Sequence, residues 1–317
     1  MTLTRRALLA AIAAAAAAPL TARAADATKL QLASSLEDDI APVLYGRQAG
    51  IFARLNLDVS VQPVTSGAAA AAAVAGRAVD IAKSSLMALI AAHARGIPIS
   101  IIAPGSYYTS TDPVAALIVA KNSPIRSASD LNGKAIAGSS LKDVKSVSAA
   151  AWMDTHGGDS KSVKFVEVPT DAIVPALEAG RIDAATVLNP TLDQAVSSGK
   201  ARALANVFDA IARRFLITAW FANTEYVERN RDVVQRFVEG LRQASVYANA
   251  HNAEMVPVLA PFLHQEPAML RKLRRTPLAT SLDPREIQPV IDAAAKYGVI
   301  ASAYPAESLI ANAPKPA

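Results

Sequence analysis

The chemistry open to this 317-residue chain rests on hydroxyls, amides and a few charges. It has no cysteine, which excludes disulfides, thiolate metal sites and a thiol nucleophile. Its four histidines, His93, His156, His251 and His264, are scattered and lack the helical spacing of metal ligands. No H-E-x-x-H, phosphate loop, G-x-S-x-G or deaminase signature occurs. Small polar clusters remain. Thr65-Ser66-Gly67 and Gly138-Ser139-Ser140 each stand where a helix would open. A helix start offers free N–H groups and a partial positive charge, which suit an anion and contribute about 0.3–1 kcal/mol when exposed. The same residues serve equally as ordinary N-caps. Lys83-Ser84-Ser85 follows a short apolar run. Its ammonium can neutralise a bound carboxylate or sulfonate, stand at the surface, or pair with Asp80, Asp38 or Asp39. Asp38 and Asp39 suit either an amine or N–H-rich ring on a solute, or the start of a helix.

The elements that must position these groups are read from hydrophobic periodicity. Ala75-Gly76-Arg77-Ala78-Val79-Asp80 and Ala179-Gly180-Arg181-Ile182-Asp183 are near-copies, each between an apolar helical run and a short apolar strand. Gly suits the left-handed position past a helix, and Asp suits the turn beyond it. A unit written twice predicts two α/β lobes with a cleft between them. Strands are predicted at 29–35, 57–61, 79–82 and 99–103, and helices at 40–50, from 65 and up to 93. This order favours a largely parallel sheet flanked by helices. The pattern restarts after Asp112-Pro113, with strands at 115–120, 135–137, 163–168, 184–188 and 216–222, a helix opened by Gly138-Ser139-Ser140, and another at 172–178. Val234, Phe237, Val238, Leu241 and Ser245 form one stripe of a later helix capped by Asn230. The polar stretch 105–112, with Tyr107 and Tyr108, reads as a crossover between lobes, and the return falls near 214–217.

Ligands of open α/β sheets sit beyond the carboxyl ends of the strands. That rule selects Ser35, Asp38, Asp39, Ser66, Gly67, Lys83, Ser84, Ser85, Ser139, Ser140 and Asn189 as candidate binding residues. Tyr107 and Tyr108 join them from the crossover. Trp220, one of two tryptophans, either walls the cleft or packs inside. Arg271, Lys272, Arg274 and Arg275 form a basic run that reads as a solvated helix face or a docking surface. No cofactor or metal is indicated.

The net charge is +5, of which Arg5, Arg6 and Arg23 supply three within the first 24 residues. The rest of the chain is close to neutral, so charge gives a nucleic-acid partner little support. Residues 1–6 are basic, 7–20 are apolar and uncharged, and Ala22-Arg23-Ala24 is a small-x-small cleavage pattern. Residues 1–24 therefore read as a signal peptide, with Thr4-Arg5-Arg6-Ala7-Leu8-Leu9 partly like a twin-arginine signal. The mature protein is expected to be soluble, periplasmic and monomeric.

Residues 42–58, PVLYGRQAGIFARLNLD, resemble the opening of the nitrate/sulfonate/taurine-type substrate-binding proteins of ABC importers. There, an apolar helix is followed by G-hydrophobic-F, here Gly50-Ile51-Phe52, and by an L-D-V strand start, here Leu57-Asp58-Val59. Gly67 with its alanine helix, Gly76 to Asp80, 127-SASDLNGK-134 and Gly180 to Asp183 continue the resemblance over about residues 29–250. It implies an α/β, two-lobed type II periplasmic-binding-protein fold, each lobe a mixed sheet flanked by helices. One lobe would comprise 25–112 plus 217–317 and the other 113–216. It further implies hinge closure on a small polar, anionic solute and delivery to an ABC transporter permease. Two alternatives come with it: a binder of a pyrimidine or aromatic nitrogen compound, and an enzyme of the related pyrimidine-synthase group. The latter activity is tied to a cysteine-rich segment that this chain lacks. Asn189-Pro190 stands where many relatives carry an acid before the proline.

Overall fold

A computed structural model describes residues 27–35, 37–64, 66–138 and 140–311. Residues 1–24, predicted from the sequence to be a signal peptide, lie outside the described residues, as do Leu36, Thr65 and Ser139. The strands are β1 (Thr28–Ser34), β2 (Leu57–Pro63), β3 (Ile81–Ser85), β4 (Ile99–Pro104), β5 (Tyr107–Thr109), β6 (Ala115–Ala120), β7 (Ala135–Gly138), β8 (Lys164–Glu167), β9 (Ala184–Leu188), β10 (Ala201–Ala205), β11 (Arg214–Leu216) and β12 (Thr218–Asn223). The principal helices are α1 (Ala41–Gln48), α2 (Gly67–Ala75), α3 (Leu86–Ala94), α4 (Val144–Thr155), α5 (Thr170–Glu178), α6 (Thr191–Ser197), α7 (Arg231–Ala250), α8 (Val256–Leu263) and α9 (Gln288–Lys296).

Two five-stranded sheets share one pattern. The first has the order β2-β1-β3-β12-β4 and the second β8-β7-β9-β6-β10. In each, three neighbouring strands are parallel and one antiparallel strand, β12 or β6, is inserted before the edge. Strands β4 and β12 are buried along their whole length, the polar Ser100, Thr218 and Asn223 included. The two sheets are joined by the antiparallel pair β5 and β11, in which Tyr108 faces Phe215. Both passages between the sheets therefore run side by side.

Helices cover the sheets through matched apolar stripes. On α7, Val234, Phe237, Leu241 and Ala244 are buried. Phe52 stacks on Phe237 with centroids 5.8 Å apart. A Cβ at Gly240 would stand 2.8 Å from the Phe52 ring, so the missing side chain admits that ring. The Gly50-Ile51-Phe52 run thus anchors the first-sheet helical layer, with Gly50 left-handed at φ +68°. Helix α9 packs against both α3 and α4, helices that flank different sheets. Among the described residues, no helix is long and apolar enough to cross a membrane.

The paired Gly–Asp junctions do the same work at a different register from the one their letters suggest. Asp80 Oδ2 accepts from the Gln31 amide at 2.8 Å, and the Asp80 amide donates to Gln31 O at 2.9 Å. Asp183 repeats both bonds with Ala135, at 2.9 and 3.0 Å. Each Asp thus extends the ladder at the start of its central parallel pair. Counted back from these acids, Gly180 corresponds to Arg77, not to Gly76. Gly180 (φ +65°) and Arg77 (φ +58°) are the left-handed residues, whereas Gly76 sits at φ −79°. The prediction of a left-handed glycine holds at 180 and fails at 76, because α2 runs one residue nearer its glycine. Gly180→Ala should therefore cost about 1–2 kcal/mol of stability, and Gly76→Ala about 0.5 kcal/mol or less. Urea unfolding of both variants checks this; equal losses would show that the two glycines share one conformation.

Candidate functional site

The carboxyl ends of β1 and β3, the start of α2 and the approach to α4 converge on one cavity of about 910 Å³ between the sheets. The first sheet's side contributes Ser66 and Gly67 at the start of α2 and Ser85 and Met87 at the start of α3. The opposite side contributes Ser140 to Lys145 and Leu188. Ile217 and Thr218 come from the return passage and Ile300 from the chain beyond α9. Three helix starts therefore face one space. Ser66 Oγ accepts from the Ala69 amide at 3.2 Å and Ser85 Oγ from the Ala88 amide at 3.3 Å. The third cap is Asp143, whose Oδ1 accepts from the Ser146 amide at 2.9 Å. Gly138-Ser139-Ser140 does not open that helix: after Ser140, a further turn with Lys142 at φ +57° delays it to Val144. Asp143 carries the local N-cap signal, an acid just before the helical run.

Below this cavity lies a buried polar knot. Lys83 is 1% exposed and Asp39 4% exposed, and the Lys83 ammonium contacts Asp39 Oδ1 directly. Asp39 Oδ2 accepts from Thr218 Oγ1 at 2.6 Å and from Ser106 Oγ at 2.9 Å. The Ser106 amide in turn donates to Thr218 Oγ1 at 2.8 Å. Lys83 Nζ also donates to Glu37 Oε2 at 3.2 Å, and Ser35 Oγ donates to the same oxygen at 2.8 Å. Burial pulls the Lys83 ammonium down from its ordinary range, and the charges of Glu37 and Asp38 oppose that shift. The nearby Lys83 charge holds the Glu37 carboxyl below the usual range, against the opposing pull of burial.

Several residues selected from the sequence therefore stand elsewhere. Lys83 is not a free counter-ion beyond a strand end. It lies inside β3, opposite Trp220, because pairing with β12 extends that strand through Ser85. Trp220 is 1% exposed and packs edge-on against Phe237, so it belongs to the core and not to the cleft wall. Ser84 is buried directly behind Gly67, where any Cβ would collide with its Oγ, and that hydroxyl has no partner in the described structure. Tyr108 is fully buried among Phe208 and Phe215 and donates to Asp209 at 2.9 Å. Tyr107 lies beneath the Arg214 guanidinium, 3.6 Å from its ring centre. Both tyrosines stiffen the connection between sheets. Asp38 faces Arg275 at 3.5 Å, and burial raises its carboxyl above the ordinary range. Asn189 Oδ1 accepts from the Asp193 amide at 3.3 Å, so it serves the start of α6. The basic run is no free helix face: Arg274 binds Asp112 at 3.0 Å and Asp193 at 3.1 Å.

Ser35 and Asp39 flank or support the site through Glu37 and Lys83, while Ser66, Gly67, Ser85 and Ser140 line it. Sequence reasoning did not select Glu37, Arg95, Lys142, Asp143 or Thr218. Glu37 stood in the selected loop, and its exposed position beside two other acids carried no distinguishing signal. Arg95 and Lys142 enter from helix-end and turn positions that only the packing of the sheets brings together. A second contact between the sides lies at the rim. Tyr297 OH donates to Asp154 Oδ2 at 3.0 Å, and Lys142 Nζ donates to Gly298 O at 3.4 Å. Burial and Asp154 push the Tyr297 phenol up to about 12, so it stays a donor at neutral pH. Among the described residues, no group of three or more His, Asp or Glu side chains is placed to hold a metal ion.

The family model described as NMT1/THI5 like matches residues 37–255, and the chain belongs to that family. A protein of Haemophilus influenzae named for thiamine biosynthesis is 28% identical over 146 residues, which are 46% of this chain. The match spans 45% of that protein's length. The periplasmic aliphatic sulphonate binding protein SsuA from Escherichia coli superposes with a TM-score of 0.73 at 15% identity, over 91% of this chain and 94% of that one. The periplasmic nitrate-binding protein NrtA from Synechocystis PCC 6803 gives 0.69 at 13% identity, over 90% and 86%. These two likenesses establish the periplasmic-binding-protein fold.

Two outcomes follow from the geometry. Lys83→Met alone leaves Asp39 charged and buried, which should cost about 3–5 kcal/mol. Adding Asp39→Asn should recover part of that loss, a coupling readable by urea unfolding of the single and double variants; strict additivity would show that the pair does not act as an ion pair. Tyr297→Phe removes a rim hydrogen bond of about 1 kcal/mol. Small-angle scattering of the ligand-free protein should then report a larger radius of gyration, and an unchanged radius would remove the rim contact from any role in closure.

Proposed function

We propose that this member of the NMT1/THI5-like family is an exported solute-binding protein that captures a small polar, anionic organic solute and hands it to an ABC importer permease. The observation that carries this reading is the cavity of about 910 Å³ on which three helix starts from both sides converge. Its volume is in the range of small-molecule sites. Uncapped helix N–H groups and their partial positive charge attract anionic oxygens. The neighbours named for sulfonate and nitrate binding share this fold, and a solute of that kind fits the donors available.

In this reading, 25–112 with 217–317 form one lobe and 113–216 the other. The paired passages Gly105–Tyr107 and Leu216–Thr218 act as the hinge. Closure brings Ser140 to Lys145 towards Ser66 and Ser85, and the closed monomer docks on the permease. Residues 1–24 direct export and are removed, leaving a soluble periplasmic protein. The relative named for thiamine biosynthesis favours a second cargo class, a pyrimidine or other aromatic nitrogen compound. The same fold would then hold a ring in place of an alkyl chain.

The test is ligand recovery combined with thermal shift. The protein is purified without denaturation, and its bound small molecules are extracted and identified by mass spectrometry. A panel of nitrate, alkanesulfonates, carboxylates and aminopyrimidines is scanned for stabilisation. A true ligand at a hundred times its Kd adds about 2.7 kcal/mol to native stability and is recovered unchanged. Conversion of the ligand during incubation would overturn transport binding in favour of an enzyme of related fold.

A further inference from the structure

We infer that Arg274 is a positioning residue of the cleft: it closes a third, ionic crossing between the two sides and, through Arg275, ties their relative angle to the loop that carries Asp38 and Asp39. The inference rests on the two-lobe closure proposed above. The segment after α8 runs beside the covalent crossings, and just beyond the two arginines it is fastened to the first-sheet side. The Tyr107 amide donates to Pro277 O at 3.0 Å and the Ala279 amide to Gly105 O at 2.8 Å. Leu278 is buried. Its amide donates to Asn249 Oδ1 at 3.1 Å, and its carbonyl accepts from Asn249 Nδ2, on α7, at 2.9 Å. The Arg275 side chain is 11% exposed and faces Asp38, and the Thr276 amide donates to Asp38 Oδ2 at 3.4 Å.

Arg274 reaches the opposite way. Its Nη1 donates to Asp112 Oδ1 at 3.0 Å and to Pro113 O at 3.3 Å, and its Nη2 donates to Asp193 Oδ1 at 3.1 Å. Asp112 and Pro113 lead from β5 into the second sheet, and Asp193 lies on α6, which packs against β6, β9 and β10. One planar guanidinium therefore holds three oxygens of the second side, while its neighbour in the chain faces a carboxylate of the first. The point of articulation falls between these two consecutive residues. A lone exposed ion pair holds little, but a fork shared by two carboxylates and a carbonyl fixes direction as well as distance. Both carboxylates are partly exposed, so salt screens this contact, whereas the buried pair of Lys83 and Asp39 is screened much less. Two other ionic approaches lie near the same gap, Arg214 to Glu286 from β11 and Lys145 towards Glu37 across the cavity.

The chain has no cysteine, so spin labels placed by Asp58→Cys and Lys164→Cys on the outermost strands β2 and β8 report the angle without interference. No solute is needed, so this test and ligand recovery fail independently. In the labelled mature chain, raising NaCl from about 0.05 M to about 1 M, where the Debye length falls to about 3 Å, should broaden the distance distribution. Arg274→Gln should show the broad distribution already at low salt and lose most of the salt response. Asp193→Asn should do the same, and combining the two should add little. Arg274→Lys, which keeps the charge but not the fork, should retain part of the response, and this guards against a variant that merely misfolds. Lys145→Gln and Glu286→Gln should retain most of it. In Arg274→Gln, hydrogen exchange at the amides of residues 38–41 should accelerate several-fold, although Arg274 bonds to none of them. Arg275→Gln should give that acceleration with the distance distribution unchanged. A distribution that ignores salt would overturn the inference, as would a wild-type salt response in Arg274→Gln or unchanged loop exchange in that variant.

Discussion

The contact between Lys83 and Asp39 is the constraint around which the rest of the molecule is arranged. A lysine inside a central strand cannot reach water, so a carboxylate must be brought to it. That carboxylate arrives on the loop after β1 and fixes the loop's path. Its second oxygen gathers Ser106 and Thr218, one from each passage between the sheets. One buried group therefore ties together a cavity-lining loop, a core strand and both crossings. Replacing such a pair with apolar side chains is often neutral for stability, so its value here lies in position. It determines where the loop stands relative to the crossings, and with it where Glu37 points.

Around this knot, the molecule is one supersecondary unit used twice. The equivalent ladders of Asp80 and Asp183 hold the starts of the central strands, leaving the carboxyl ends to face each other. The crossings are short paired strands whose side chains are packed: Tyr108 against Phe208 and Phe215, Tyr107 under Arg214. In the proposed closure, the bending falls on these few backbone positions. At the opposite rim, the two sides meet through Tyr297 and Lys142, contacts of about 1 kcal/mol each. Such a balance suits a ligand-biased closure, because a solute can shift the equilibrium only by its differential affinity for the two states.

The architecture was legible in the sequence because it rests on local signals. Helix ends, turn acids and apolar runs recur in order, and the doubled Gly–Asp junction identified the repeat. Even there, identical letters misled: Gly76 and Gly180 look equivalent, but the left-handed position in the first unit is held by Arg77. The site was only partly legible. Ser66 and Ser85 were found because an N-cap is a local device. Lys83 was misplaced because its surroundings come from β12, more than 130 residues distant, and tertiary pairing overrides a polar residue's preference for loops; for Trp220, the packed alternative holds. Lys142 and Arg95 left no local trace, since nothing in their own segments reports the far wall of a cleft.

The loss of Lys83 as a ligand group changes what the helix starts can accomplish alone. Each contributes roughly half a positive charge, distributed over N–H groups that Ser66, Ser85 and Asp143 already partly occupy. Asp143 adds a full negative charge at one of them, offset by Lys145. In the proposed function, attraction for an acid group therefore rests on Arg95 and Lys142 acting with the remaining amides.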